Sequence, residues 1–218
     1  MKIFKIRRLV FWIGAYALIM SCTPAIGASD VWALYGWGPN GWSSGIDQIA
    51  RKVRTLRGVG AVHVTDYRNT QQVYEQMLAS HNALTCIGYS CGGNACLAIG
   101  NSLAHNGRTI HIIMLQPSVW CGRYPTTANM TTVQDTWSYG SLWLGAYQPE
   151  GPPAGYTTFI ERREPHGAAD TDPQYQRDAI AATAVAADPS RQQWYQRYLQ
   201  RSAPFVDRQD ATVIWRRE

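Results

Sequence analysis

The most informative feature of the sequence is a serine with one glycine two residues before it and another two residues after it, Gly88-Tyr89-Ser90-Cys91-Gly92. The residues before it, 83–87, form a short apolar run typical of a strand, and residues 94–103 form an apolar run typical of a helix. A strand that turns sharply into a helix around Gly-x-Ser-x-Gly holds the serine in a strained conformation that exposes its hydroxyl. The pattern therefore predicts a nucleophile elbow with Ser90 at its tip; the alternative is a glycine-rich turn with an idle serine.

The first 28 residues have the layout of a secretory signal peptide. A basic head precedes the apolar run Leu9–Met20, and a zone of small residues follows it. The apolar run is short for a membrane span. We therefore expect cleavage after Ala28, or alternatively after Ala25, and export of the mature chain. Residues 19–22 resemble a bacterial lipobox, so a lipid anchor on Cys22 is a further alternative.

The charge of the chain is concentrated in this leader. Removing its four basic residues lowers the formal net charge from +5 to +1, so the pI of 9.0 says little about the mature protein. A nearly neutral chain gives little support for a nucleic-acid partner or an anionic membrane. The remaining length suits a single domain, residues 29–218, with one hydrophobic core.

Four cysteines remain after the leader: Cys86, Cys91, Cys96 and Cys121. An even number in an exported chain is compatible with disulfides. Their spacing contains no Cys-x-x-Cys pair, so we expect no structural zinc site. We expect Cys86 and Cys96 in the core as small apolar side chains. A bond between Cys91 and Cys121 is an open alternative.

Hydrophobic periodicity predicts strands that alternate with helices along the whole mature chain. The predicted strands are 30–36, 61–67, 83–87, 109–115, 130–137 and 156–161, and the predicted helices are 44–56, 70–80, 94–103, 173–187 and 191–199. This alternation indicates an α/β fold, a three-layer α/β/α sandwich with a mostly parallel central sheet. Sheets of this kind bind ligands at the carboxyl ends of their strands.

A serine hydroxyl needs a base to become a nucleophile, and the base needs a group that holds its tautomer. His166 follows a late predicted strand, at the edge where Ser90 is expected, and we predict that it is the base. The other histidines lie within predicted strands or at helix ends: His63, His81, His105 and His111. For the acid we predict Asp135, at the end of the preceding strand. Asp170 and Asp172 are the alternatives, although Asp172 is also expected to cap a helix.

The reaction also requires donors for the negative charge that develops on a carbonyl oxygen. We expect one backbone N–H from Cys91, directly after the serine. The second should come from the loop after the first strand, around Trp37 and Gly38, where glycines allow N–H groups to point inward.

The order Gly-x-Ser-x-Gly, acid and histidine, each after a strand, resembles the α/β-hydrolase superfamily. The compact form is most similar to small lipase- and cutinase-like serine esterases. The match lies in residues 88–92 and His166, and Asp135 matches by position in the topology alone. The resemblance implies a compact α/β-hydrolase fold with a minimal cap, Ser90 as nucleophile and His166 as base. The loop of residues 35–38 lacks the His-Gly pair that is common in the oxyanion loop of this family.

Taken together, these features predict an exported serine hydrolase that cleaves carboxylic esters through an acyl-enzyme on Ser90. The expected substrate is a small-molecule or lipid ester, with no metal or organic cofactor and no nucleic acid. We favour a monomer that meets a membrane only if Cys22 is lipidated. The alternatives are a thioesterase or amidase with the same residues, and a non-catalytic binding protein of the same fold. The binding pocket of that protein would be lined by tryptophans: Trp37, Trp42, Trp120, Trp137 and Trp143.

Overall fold

The structure, a computed structural model, describes residues 28–38, 43–137, 156–161, 166–202 and 214–216. The predicted leader up to residue 27, with Cys22, lies outside these ranges, as do Trp42 and Trp143. Within the described ranges, no helix has the length and apolar character needed to cross a membrane.

A seven-stranded sheet forms the centre of the fold, in the order β2-β1-β3-β4-β5-β6-β7. Its strands are β1 (Ser29–Tyr35), β2 (Val59–Asp66), β3 (Ala83–Tyr89), β4 (Ile110–Leu115), β5 (Met130–Trp137), β6 (Tyr156–Glu161) and β7 (Ile214–Arg216). The first six strands run parallel, and β7 is antiparallel to β6. The central strands are apolar on both faces because helices cover both faces of a parallel sheet.

Helices cover the sheet on both sides. They are α1 (Ser44–Val53), α2 (Thr70–Ala79), α3 (Cys91–Ala104), α4 (Pro173–Ala187) and α5 (Gln192–Ser202). One core lies between the sheet and α1, α4 and α5, and a second core lies between the sheet and α2 and α3. Successive strand residues alternate between the two cores. The predicted α/β sandwich with a mostly parallel sheet is confirmed.

One difference from the predicted boundaries lies at the elbow. The prediction starts the helix at residue 94, whereas α3 begins at Cys91 and includes Gly92 and Gly93. Glycine has low helix propensity, which is why the pattern alone places the start too late. The glycines are nevertheless needed there, because strand and helix approach so closely that larger side chains do not fit.

The cysteines form two disulfides, Cys86–Cys96 and Cys91–Cys121. Cys86 and Cys96 are buried in the core, as expected, and they are also bonded to each other, because β3 and α3 bring their Cα atoms to 5.6 Å, within the normal range for a disulfide. The pair Cys91–Cys121 ties the start of α3 to the loop after β4. Two disulfides fit a protein of an oxidising compartment.

Candidate active site

Ser90 lies at a sharp turn between β3 and α3, with φ of 53° and ψ of −123°. This conformation is costly for a residue with a Cβ atom. Two backbone hydrogen bonds hold it: Ser90 N–H donates to the carbonyl of Leu115 at 2.9 Å, and its own carbonyl accepts from Gly93 N–H at 2.9 Å. The strand, strained serine and helix follow in the order that the motif predicts.

The glycines of the motif are required by the close approach of backbone to backbone. A Cβ atom on Gly88 would lie 2.2 Å from the carbonyl carbon of Gly92. A Cβ atom on Gly92 would lie 2.4 Å from the carbonyl oxygen of Leu34 in β1. Because all of these neighbours are backbone atoms, they cannot rotate away, and only glycine fits at either position.

His166 reaches Ser90 from the loop between β6 and α4. Its Nε2 lies 2.8 Å from Ser90 Oγ, a hydrogen-bond distance. Both side chains are buried, with 6% of Ser90 and 7% of His166 exposed. Burial lowers the pKa of His166 to about 4, because the charged imidazolium loses its hydration. A neutral imidazole can accept the serine proton.

The backbone of His166 is held by the elbow itself. The Tyr89 hydroxyl donates a hydrogen bond to the carbonyl oxygen of His166, and the two rings lie 5.3 Å apart between centroids. Burial raises the pKa of Tyr89 above its ordinary value, so the hydroxyl remains protonated and able to donate. Tyr89, the residue before Ser90, therefore positions His166.

Asp170 anchors the loop that carries His166. Its Oδ2 accepts a hydrogen bond from Gly45 N–H at 3.0 Å, in the first turn of α1. A Cβ atom on Gly45 would lie 1.8 Å from the carbonyl oxygen of Asp170, so loop and helix are in close contact. Burial raises the pKa of Asp170 to about 6, against the opposing effect of the backbone N–H groups.

Asp172, the other alternative for the acid, caps α4. Its Oδ1 accepts from Gln174 N–H at 2.7 Å and from Tyr175 N–H at 3.0 Å, as predicted for a helix N-cap.

The structure does not bring Asp135 to His166. Asp135 lies within β5 and is fully buried, and neither carboxylate oxygen has a hydrogen-bond partner among the described residues. It shares its face of the strand with Val133, which packs in the core under α2 and α3. His166 instead contacts Tyr89, on the face covered by α1, α4 and α5. Burial raises the pKa of Asp135 well above its ordinary value.

Gln116, directly after β4, occupies the place expected for the acid. Its Oε1 lies 3.0 Å from His166 Nδ1, and its Nε2 donates to the Tyr175 hydroxyl at 2.6 Å. Its backbone N–H donates to Thr136 O at 2.8 Å, and its φ is 52°. The sequence prediction missed Gln116 because it looked for a carboxylate. The available signal was a polar residue at the carboxyl end of the strand beside β3.

The loop after β1 lies against Ser90, where the oxyanion donors are expected. A Cβ atom on Gly36 would lie 2.9 Å from Ser90 Cβ, and Gly36 N–H donates to Ser43 Oγ at 3.2 Å. Trp37 follows directly, with 67% of its side chain exposed, and then Gly38 with φ of 132°. Ser90 is thus flanked by this loop and by the N-terminus of α3. The donor roles of Trp37, Gly38 and Cys91 stay a prediction.

Asn94 fixes the loop that carries Gln116. Its Oδ1 accepts from Ser118 N–H at 2.9 Å, while its Nδ2 donates to Ser118 O at 2.8 Å and also to Gly122 O. Asn94 lies in the first turns of α3, and the Cys91–Cys121 disulfide joins the same two segments. Ser90 and Gln116 are therefore connected through α3.

The described residues contain no group of three or more His, Cys, Asp or Glu side chains placed to hold a metal ion. They do contain a buried serine, a histidine bonded to it and an amide bonded to the histidine, which together can transfer a proton from Ser90 Oγ to His166 Nε2. No protein-family model matches the chain, and a sequence search of curated proteins found no relative.

Proposed function

We propose that the protein is a serine hydrolase that cleaves carboxylic esters, with Ser90 as nucleophile and His166 as general base. The observation that carries the proposal is the 2.8 Å separation of Ser90 Oγ and His166 Nε2 at a strained strand-to-helix turn. Strained residues persist where the surrounding structure enforces them, and they concentrate at functional sites. A serine with no chemical role needs neither a left-handed conformation nor a buried histidine.

In the proposed reaction, Ser90 Oγ bonds to the carbonyl carbon of the ester while its proton passes to His166 Nε2. The bond to the alcohol oxygen then breaks, and the alcohol leaves with that proton, so that the acyl group remains on Ser90. His166 next takes a proton from water as the water attacks the acyl-enzyme. The carboxylic acid is released, and Ser90 recovers its proton from His166.

The negative charge on the carbonyl oxygen has to be met by backbone N–H groups. The N–H of Cys91 opens α3, where the first N–H groups of a helix have no partner within the helix. The N–H groups of Trp37 and Gly38 follow Gly36, which contacts Ser90. Donors on two sides of the nucleophile would stabilise the oxyanion more in the transition state than in the substrate.

The proposed site of action is outside the cytoplasm, in the periplasm or the extracellular medium. Two disulfides support this proposal, as does the leader-like sequence of residues 1–28. The mass of the protein isolated from its host tests it: we expect a mature chain beginning near Ser29. A retained Met1 would contradict export, and a diacylglyceryl mass on Cys22 would favour the lipid-anchored alternative.

The alternative from another class is a binding protein that does not turn over its ligand. Trp37 and Trp120 favour it, because 67% and 76% of these side chains are exposed. Trp37 follows Gly36, which lies against Ser90, and Trp120 precedes Cys121, which is bonded to Cys91. Exposed indole rings of this kind bind apolar ligands or the faces of sugars. The same side chains would equally line the entrance for an apolar ester, so they do not replace the Ser90–His166 pair as the basis of the proposal.

The decisive experiment is labelling of the mature protein with a fluorophosphonate probe, followed by peptide mapping and an assay on an activated ester. We expect the adduct on Ser90, and loss of roughly 10⁴-fold or more in turnover for Ser90→Ala. Ser29→Ala is the matched control, because Ser29 is also buried but bonds Thr85 Oγ1 at the start of β1. No adduct, together with hydrolysis unchanged in Ser90→Ala, would leave the binding protein as the better proposal.

Thioester and amide substrates in the same assay separate the enzyme alternatives. All three classes use the same acyl-enzyme, and they differ in the group that leaves. We expect the ester to be turned over faster than an amide with the same acyl group. A preference for the thioester or the amide would keep the residue roles and change the substrate class.

A further inference from the structure

We propose that Gln116 is the positioning residue of the site, taking the place of the usual carboxylate, so that His166 is oriented by a neutral amide and works without an adjacent anion. This inference rests on the proposed hydrolase function and goes beyond it. It concerns how the base is held and at which pH it works.

The two ends of the Gln116 amide face different partners. Oε1 can only accept and Nε2 can only donate, and the two face His166 Nδ1 at 3.0 Å and the Tyr175 hydroxyl at 2.6 Å. With the amide placed in this way, His166 carries its proton on Nδ1 and presents the lone pair of Nε2 to Ser90. This is the tautomer that a general base needs, and it is the orienting role of a carboxylate.

The backbone reinforces this arrangement. Gln116 has a φ of 52°, which turns its side chain out of the alternation of β4 and toward Tyr175 in the α4 side of the core. Its N–H is bonded to Thr136 O at 2.8 Å. A residue with no role at this position would be expected to relax to a conformation without strain.

No described carboxylate supplies the charge that Gln116 lacks. Asp135 lies on the opposite face of the sheet, and Asp170 directs Oδ2 to Gly45 N–H. The other titratable groups around His166 are Tyr89, on β3, and Tyr175, on α4 behind Gln116. Both are phenols and neutral at neutral pH.

The consequence is that His166 is a weaker base but stays unprotonated at acidic pH. An adjacent carboxylate would stabilise the imidazolium and raise the pKa of His166. With an amide in its place, burial dominates and the pKa is lowered to about 4. The imidazole therefore stays neutral, and competent as a base, at pH values where an ordinary histidine is protonated.

The test compares Gln116→Glu and Gln116→Met with the control Gln134→Met. Glutamate has nearly the same shape and adds the charge, while methionine removes the acceptor. Gln134 is a second fully buried glutamine, and its Oε1 accepts from the Tyr195 hydroxyl without any bond to His166. For each protein the measurements are kcat and KM on an activated ester as a function of pH, the NMR titration of His166, and the Tm.

For Gln116→Glu we expect the His166 titration and the acid limb of kcat/KM to move up together by about one pH unit or more. For Gln116→Met we expect kcat to fall roughly 10²-fold or more, with KM nearly unchanged, because the imidazole loses the group that selects its tautomer. Gln134→Met should lower the Tm but leave kcat and the pH profile unchanged.

The result that would overturn the proposal is a Gln116→Met protein with kcat within about threefold of wild type and an unchanged His166 titration. The ¹⁵N signals of His166 in the wild-type protein provide a check that needs no variant. We expect a proton on Nδ1 and none on Nε2 at neutral pH, and a proton on Nε2 instead would overturn the proposal. If the wild type neither binds the probe nor hydrolyses esters, the proposed function fails, while the NMR measurements still decide the role of Gln116.

Discussion

Ser90 and Gln116 share an unusual positive φ, of 53° and 52°, and they bond the two nitrogens of one imidazole. Among the described residues, no other residue with a Cβ atom has a positive φ. Such a conformation costs on the order of 1–3 kcal/mol per residue. In both cases it turns a polar side chain at the carboxyl end of a strand toward His166. The strained residues that follow β3 and β4 therefore both lie next to His166, the candidate base.

The first prediction concerns the close packing at the elbow. Gly92→Ala should destabilise the protein by several kcal/mol and abolish probe labelling, because its Cβ would lie 2.4 Å from the carbonyl oxygen of Leu34. Gly167→Ala is the matched control, since a Cβ atom there meets nothing within 4 Å. Thermal melts and labelling rates check both variants. A Gly92→Ala protein that melts and labels like wild type would show that β1 and α3 are not held this closely.

The second prediction concerns the pH dependence of the ester hydrolysis proposed for the wild-type protein. The kcat/KM of an ester reports the pKa of the base in the free enzyme. Because burial lowers the pKa of His166 to about 4, the acid limb should lie near this value, with most of the activity retained at pH 5. An acid limb centred near 6.5 would mean that the imidazole is hydrated or paired with an anion. Circular dichroism at each pH separates loss of activity from unfolding.

The third prediction concerns Asp170 and stability. Its pKa is raised to about 6 in the folded protein, so between about pH 4 and pH 6 the folded state binds more protons than the unfolded state. The contribution of Asp170 to the free energy of unfolding should therefore fall as pH rises through this window, by on the order of 1–3 kcal/mol. Asp170→Asn keeps an acceptor for Gly45 N–H but cannot ionise, and it should remove this loss.

The measurement is urea unfolding of wild type and Asp170→Asn at pH 4.5 and pH 7. His166 contributes with the opposite sign, since its lowered pKa makes stability rise with pH between about 4 and 6.5. This contribution is common to both proteins and cancels in their difference. We expect the free energy of unfolding of the variant, relative to wild type, to be higher at pH 7 than at pH 4.5. We expect its turnover of esters to stay unchanged. If it instead loses stability at pH 7 alone, the ionised carboxylate is favourable at the N-terminus of α1.

The fourth prediction concerns Asp135. If Asp135 were the acid that orients His166, as the sequence predicts, Asp135→Asn would lower turnover roughly 10²–10⁴-fold. The structure leads to a different expectation, because Asp135 is buried without a partner among the described residues and its pKa is raised well above normal. Asparagine has nearly the shape of a protonated aspartate. Turnover should therefore stay within about threefold of wild type, with an equal or higher Tm.

Turnover of one activated ester, with a melting curve for each protein, decides between these expectations. Gln116→Met provides the comparison, because only one of the two residues can hold Nδ1 of His166. A hundredfold loss in Asp135→Asn with an intact fold, beside normal activity in Gln116→Met, would restore Asp135 as the acid.

The sequence alone was enough to predict the α/β sandwich, the strand-to-helix turn at Ser90 and the contact between Ser90 and His166. Each of these depends on signals that are local in the chain: apolar runs of strand or helix length, small residues around Ser90, and Asp172 followed by Pro173 at the start of α4. Because parallel strands align their carboxyl ends, placing Ser90 and His166 after two such strands was enough to predict that they meet.

The tertiary structure was needed to show which group bonds Nδ1 of His166 and which cysteines pair. Asp135 and Gln116 both lie near the carboxyl ends of neighbouring strands, and the periodicity of two does not say which face of the sheet each side chain takes. The left-handed backbone of Gln116 arises from its bond to Thr136 O and from the loop fixed by Asn94, contacts between residues distant in sequence. The bond between Cys86 and Cys96 likewise required the separation of β3 and α3, which packing sets and residue spacing does not encode.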